Sequence, residues 1–394
     1  MLQLDFYNYR SYSISITAKI KNIIDEKEQN MDPRLINQSY LDIVNNVWTT
    51  FKETHGWNSY ASILALSAYE RIGKFEKIQS IIDESVSIAR KYINGEIPRV
   101  GGQYDEYIYR RGGSATAWLF ARGYLPEAEE TLVAGAEKLL KEFPRGANGA
   151  FKSLRTDLDE LVWIDTLFAV CPYLVWLGET IGRKDFTDAA IEQLLAHHEL
   201  LFDKATKLYF QAKRDGVLSA RWGRGVGWAV YALAEITYDL RKHERFEEIA
   251  SIYRELIDGC LAAQDENGLF HQVVNDHSSY VESSASGLIL YGFGRAIKNR
   301  IIPREKVYEP FLKGIKGLTR YITLDGSVTD CCCGCLMPGD GSEEAYANHP
   351  RKTNDWHAAG AVICAFGQAE QLYINNLIPS FADLMAGKEY TMPQ

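Results

Sequence analysis

The sequence predicts an all-α protein, a closed (α/α)6 barrel of six helical hairpins, and three observations carry that expectation. From about Leu35 onward, apolar residues recur at three- and four-residue spacing, the period of a helix with a buried face. Twelve such segments follow one another, each broken by Gly, Pro, Asn or Asp. They lie near 35–54, 58–73, 75–95, 113–123, 126–143, 160–181, 185–202, 225–241, 244–263, 281–299, 304–321 and 355–374. Sheltered and solvated segments also alternate. An open solenoid of helix pairs is the competing architecture, but the spacing is irregular and no motif repeats.

Each class of element has its own justification. TLFAVCPYLVWLGE (166–179) and WAVYALAEI (228–236) are apolar nearly all round, as helices shielded by an outer layer are. HERFEEIASIYRELIDGC carries its charge on one face, as an outer helix does. The connections near 97–112, 144–159, 203–224, 264–280 and 322–354 are long and Gly-rich and contain Trp, Tyr, His, Arg and Asp. Long loops in a compact domain are usually functional. Alternate loops of a helical barrel share one end, so these are expected to line a common pit. Residues 1–30 read as a poorly patterned leader or arm, with Met31 an alternative start, and 31–394 as one catalytic domain.

Composition excludes several functions. The chain has 394 residues, 46% of them hydrophobic, enough for a sizeable core, and a formal net charge of -9 without a basic block. Nucleic acid and anionic membrane surfaces are therefore not expected partners. The N-terminus carries charges and Tyr where a signal peptide is apolar, and no apolar run approaches membrane-spanning length, which points to the cytoplasm. Eight Trp and 23 Tyr offer flat platforms of the kind sugars stack on. Seven Cys, four of them clumped at Cys331, Cys332, Cys333 and Cys335, form no disulfide pattern. Consecutive Cys do not converge on one tetrahedral ion, and no second Cys pair or nearby His run completes a set, so neither metal nor cofactor is expected.

Four segments carry candidate chemistry. In LVWIDTLFAVCPYL, Asp165 lies beside Trp163 and Ile164 at the start of an apolar helix, where desolvation raises a carboxyl pKa as a general acid requires. A helix N-cap explains the same Asp, and on this segment alone it is the favoured reading. RWGRGVGW (221–228) brings Trp222, Arg224 and Trp228 together with three glycines ahead of a helix, combining a stacking face with a planar carboxylate-matching fork. Cation–π packing is the structural alternative. ENGLFHQVVND delivers His271, with Glu282 following near a helix start, and a packing role for His271 is about as good an account as a sugar contact. TNDWHAAGAV sets Asn354, Asp355 and His357 at the mouth of the last helix, where capping explains Asn or Asp more readily than His357.

Taken together, VWIDTLFAVCPYLVWLGE, RWGRGVGWAVYALAE, ENGLFHQVVND with YVESSASGLILYGFGRAI, and CCCGCLMPGDG with NDWHAAGAVICAFGQAE resemble the unsaturated uronyl hydrolases of glycoside hydrolase families 88 and 105. The four fall in that family's order across most of residues 57–374. The resemblance implies an (α/α)6 barrel. It implies Asp165 as general acid and base, and Trp222, Arg224 and Trp228 as substrate contacts. It also places Lys152, next to Phe151, in the site, with Trp57 as an early pit-lining aromatic. The family's second Asp falls in register near Tyr109, Arg110 or Arg111, leaving Asp105 or Glu106 as its substitute. Asp105 is taken as the second catalytic carboxylate and Arg111 as a substrate contact. Gln211 stands where the family has a His and is taken as a substrate contact, and Cys335 to Gly339 replace a Gly-Thr-Gly.

The implied reaction is hydration. The carboxylic acid protonates C4 of a C4=C5 double bond, water adds at C5, and the hemiketal opens to release the rest of the oligosaccharide. The expected partner is an oligosaccharide with an acidic sugar, with Trp163, His271 and His357 among its contacts. Hydrolysis of a saturated uronide is one alternative. A sugar epimerase or a carbohydrate-binding protein on the same fold is another, because fold alone does not choose the chemistry.

Overall fold

The computed structural model describes residue 35 and residues 37–154 and 160–392. The leader expected at 1–30, and Met31 with it, lie outside the described residues. Twelve long helices follow the order expected: α1 Tyr40–Thr54, α2 Tyr60–Glu76, α3 Gln79–Ile93, α4 Gly113–Ala121, α5 Glu129–Glu142, α6 Asp165–Ile181, α7 Lys184–Leu201, α8 Gly223–Asp239, α9 Phe246–Ala263, α10 Ser283–Asn299, α11 Arg304–Leu318 and α12 Ala358–Ile374. Two single-turn helices, Glu343–Ala347 and Phe381–Met385, add to them.

Helix starts obey local chemistry. At the head of α1, the Ser39 hydroxyl accepts from Asp42 N at 3.1 Å and the Asp42 carboxylate accepts from Ser39 N at 2.8 Å, a reciprocal cap that sets the start five residues later than periodicity suggests. The helix expected from residue 160 begins instead at Asp165. Val162–Trp163 pairs antiparallel with Ala212–Lys213, and that ladder takes up the backbone a helix would have used.

The even-numbered helices form the inner ring. α2 packs on α4, α4 on α6, α6 on α8, α8 on α10, α10 on α12, and α12 returns to α2, so the ring closes. A closed ring excludes the open solenoid. α8 is buried from Gly223 through Thr237, whereas α1 buries only a stripe of six residues. Glycines let inner helices approach: a Cβ on Gly287 of α10 would lie 2.5 Å from the Ala361 carbonyl of α12.

Connectivity places the site. From α2 onward each short connection runs from an inner to an outer helix, and the connections into the later inner helices are long, at 94–112, 143–164, 202–222, 264–282 and 319–357. The inner helices therefore run parallel, and their amino ends share the end of the barrel where those loops gather. At the opposite end a cavity of about 250 Å³ is lined by Arg71, Lys74, Arg122, Arg295 and Lys298 with Glu235. Arg71 pairs with Glu235 at 3.0 Å and lies over Trp118 and Trp176. These cations sit where inner-helix carbonyl ends concentrate negative charge and offset it.

Candidate active site

Asp165 is the first residue of α6, and the strand pairing before it decides its surroundings. Trp163 faces Ala212 in the antiparallel register, and Ile164 N donates to Gln211 O at 2.9 Å. Gln211 is thereby held beside Asp165, and its Nε2 donates to Asp165 Oδ2 at 2.5 Å. The other side-chain atom, Gln211 Oε1, is buried without a partner among the described residues. A Cβ on Gly225 would stand 2.1 Å from that oxygen, so the glycine of RWGRGVGW makes room for the Gln211 amide. The N-cap of α6 is Ile164, with no side-chain cap bond, so the capping account of Asp165 is corrected. Burial raises the Asp165 carboxyl above the ordinary carboxylate range, against the opposing pull of the Gln211 bond and the Arg224 charge. A carboxyl so placed holds its proton closer to neutral pH, the property of a general acid.

Across from it, α2 and α12 supply a relay. The Tyr60 hydroxyl lies 2.9 Å from His357 Nε2, and His357 Nδ1 lies 2.5 Å from Asp355 Oδ1. Burial, reinforced by Arg224, lowers the His357 pKa to about 4, so the ring is neutral at pH 7. The Asp355 carboxylate selects the tautomer: Nδ1–H donates to it, and Nε2 accepts from Tyr60. Burial would raise Asp355, but the hydrogen bond from His357 outweighs it and keeps the carboxylate charged. Tyr60 is pushed well above the usual phenol range by burial and then by the Asp165 charge. Tyr109 stacks on Tyr60 at 5.6 Å, and the Tyr104 hydroxyl meets Thr166 Oγ1 at 2.7 Å. Both phenols are raised, first by burial and in part by Asp165.

Trp222, Arg224 and Trp228 are buried at the amino end of α8. Arg224 is 1% exposed, and its guanidinium donates to Cys332 O at 2.9 Å, Cys333 O at 3.1 Å and Ser284 Oγ at 3.2 Å, with Glu282 at 3.9 Å. These bonds clamp the Cys loop, and the Arg224 charge reaches Asp165. Its guanidinium lies over Trp222 at 4.4 Å, and Trp222 Nε1 donates to Gln272. Trp228 packs on Phe168 at 4.2 Å and reaches the His357 ring. Glu282 caps α10, accepting from Ser284 N and Ala285 N.

The remaining expected residues are drawn elsewhere. Asp105 accepts from Val100 N and from Arg110, each at 2.8 Å, and these bonds tie it into its own loop. Arg111 donates to the carbonyls of Thr131, Glu106 and Tyr107, fastening that loop to α5. Lys152 pairs with Glu160 at 3.1 Å. Trp57 packs at a tilt against Trp48 and edge-on against Phe51 of α1. Trp163 is buried against Leu161, Ala212 and Met337. His271 binds Ser279 O at 2.5 Å and Asp265 at 3.3 Å, a loop-bracing role. Sequence reasoning passed over Tyr60 and Tyr104. Tyr60 had a signal: like Asp165 and Arg224, it is a polar side chain in the first turn of an inner helix.

The Cys clump also differs from expectation. Cys331–Cys332 pairs antiparallel with Arg351–Lys352, and Cys333 N donates to Pro350 O at 2.9 Å. That turn brings His349 back to Cys332 and Cys335, with one ligand atom of each within 4.8 Å of the others. The premise that no His joins the clump is therefore corrected. A His fourteen residues further on does so through a hairpin that periodicity does not reveal.

Comparison with known proteins supports this geometry. The chain is 27% identical over 233 residues to the unsaturated rhamnogalacturonyl hydrolase YesR of Bacillus subtilis, covering 57% of this chain and 65% of that protein. It is 29% identical over 150 residues to an unsaturated 3S-rhamnoglycuronyl hydrolase of Alteromonas, covering 37% of this chain and 36% of the relative. The matched stretches thus span less than two thirds of either relative. A glycoside hydrolase of family 105 from C. acetobutylicum shares the fold, with TM-score 0.74 and 21% identity over 84% of this chain and 99% of that one. With the closed ring and Asp165 at the amino end of an inner helix in place, the match of the Glycosyl Hydrolase Family 88 model to residues 36–373 completes the assignment: the chain belongs to that family.

Proposed function

We propose that the protein is a glycoside hydrolase that removes a C4=C5 unsaturated uronyl residue from short oligosaccharides by hydration, with Asp165 as the proton-transferring group. One observation carries this reading: Asp165, a half-buried residue whose carboxyl pKa is raised by burial, is oriented by Gln211 at the amino end of an inner helix. The names of the relatives, an unsaturated rhamnogalacturonyl hydrolase and an unsaturated 3S-rhamnoglycuronyl hydrolase, support the substrate class.

In the proposed cycle, protonated Asp165 gives its proton to C4 and positive charge develops at C5, shared with the ring oxygen. Water attacks C5 and passes a proton to Asp165, which restores the acid. The C5 hemiketal then opens and the remaining oligosaccharide departs. The ionised carboxylate left after the first transfer faces the cationic centre and stabilises it. Gln211 Nε2, on a fully buried side chain, steadies that carboxylate. Tyr60, held by His357, orients a phenol toward the same space. The shared amino ends of the inner helices favour an anionic sugar. A net charge of -9 disfavours nucleic acid as a partner. Among the described residues no helix is long and apolar enough to cross a membrane. A cytoplasmic setting, with the Cys residues kept as thiols, and a single catalytic domain over 31–394 belong to the same proposal.

The test is loss of the conjugated-alkene absorbance when the protein is incubated with lyase-generated oligosaccharides. Loss of the band with release of the shortened chain is the expected result. Binding without that loss would favour a carbohydrate-binding role, and release from saturated uronides alone would move the activity to ordinary glycoside hydrolysis.

A further inference from the structure

We propose that Cys332, Cys335 and His349 form a three-ligand site for a zinc-class divalent ion, built into the loop that walls the pit. Their ligand atoms lie within 4.8 Å of one another, and both Cys side chains are buried. His349 Nε2 is buried without a hydrogen-bond partner among the described residues. A buried imidazole nitrogen left unpaired is costly, and an ion between it and two sulfurs removes the cost.

The sequence spacing suits the chemistry. Cys332-Cys333-Gly334-Cys335 is a C-x-x-C turn, the spacing that presents two sulfurs to one tetrahedral ion. The paired strands Cys331–Cys332 and Arg351–Lys352, with the bond from Cys333 N to Pro350 O, supply the third ligand from the returning chain. Zinc lies about 2.3 Å from sulfur and about 2.0–2.1 Å from imidazole nitrogen, so a small inward movement closes the triad.

Second-sphere groups are present. Gln272 Nε2 donates to Cys332 Sγ at 3.1 Å, a contact that favours thiolate, and Cys332 N donates to Glu282 at 2.9 Å. Two thiolates and one neutral imidazole neutralise a divalent cation and leave a fourth position for water. Arg224 holds the carbonyls of Cys332 and Cys333, so the ion would stiffen the segment that this arginine ties to α8. A Cys332–Cys335 disulfide is the rival use of the turn, but it gives His349 no task.

The experiment uses the full chain, purified under reducing conditions and dialysed against Zn2+ or Co2+ alone. The expected result is one bound ion per chain, sulfur-to-cobalt charge-transfer absorption, and intense visible bands of a tetrahedral site. Cys335→Ser and His349→Ala should each lose that spectrum, while Cys364→Ser, at a buried thiol elsewhere, should keep it. Because a ligand variant can fail to fold, Zn2+ should also slow modification of two thiols in the unaltered protein at least tenfold. The proposal is overturned by an ion-free reduced protein that gives no cobalt spectrum, by a spectrum unchanged in both ligand variants, or by thiol reactivity indifferent to Zn2+.

Discussion

Replacing Gln211 with Leu tests the one side-chain bond that holds the Asp165 carboxylate among the described residues. Leu keeps roughly the volume that Gly225 accommodates but removes the Nε2–H that donates to Asp165 Oδ2 at 2.5 Å. A hydrogen bond to a charged group contributes about 1.5–3 kcal/mol. Because that bond favours the ionised carboxylate, its loss shifts the balance toward protonated Asp165 by roughly ten- to a hundredfold. If protonated Asp165 starts the reaction, the activity that falls with rising pH should persist to higher pH in the variant. The assay is the pH profile of kcat, read from loss of alkene absorbance. KM is followed as well, to separate substrate binding from proton transfer. An unchanged profile, or a limb displaced to lower pH, would refute the assignment of Asp165 as the acid oriented by Gln211.

Three further outcomes follow from the geometry. Asp165→Asn should lower turnover by roughly a hundred- to ten-thousandfold. It should also be more resistant to denaturant than the parent at pH 7. With the folded pKa raised, the parent loses stability as pH climbs from the ordinary carboxyl range near ~4 through the folded value, and Asn does not. Equal stability at pH 7 with normal activity would return Asp165 to a passive role. Arg224→Ala should cost about 3–5 kcal/mol in urea unfolding, because it strands Glu282 and two buried carbonyls. A selective loss of uronide binding at unchanged stability would restore its carboxylate-binding role. Asp105→Asn should leave turnover near the parent value and cost about 1 kcal/mol or less, since its partner Arg110 is half exposed. A loss of turnover as large as that of Asp165→Asn would make Asp105 the second catalytic carboxylate.

Much of this was legible in the sequence because helical periodicity and burial are local. The twelve helices, the alternation of sheltered and solvated segments, and the gathering of long aromatic loops at one end follow from spacing of three and four and from where Gly and Pro interrupt it. Asp165 was legible as a carboxyl in apolar company. Gln211 stood out as a departure from the family pattern. What it holds depends on the pairing of Val162–Trp163 with Ala212–Lys213, and short two-residue ladders leave no periodic trace.

The sequence by itself determined the helices and the loop-rich end, since each rests on neighbours within a few residues, and it singled out Asp165 through the order of four segments along the chain. Tertiary structure alone decided what the polar groups do. Arg224 carries the same fork whether it meets a sugar or a carbonyl, and only the packing of the Cys loop against α8 turned it inward. Asp105 met Arg110, Tyr60 met His357 across 297 positions, and His349 met Cys332 and Cys335 through a hairpin. A charged or hydrogen-bonding side chain takes the partner that folding delivers to it. That partner is set by long-range closure of the ring and not by the residues alongside it in the chain.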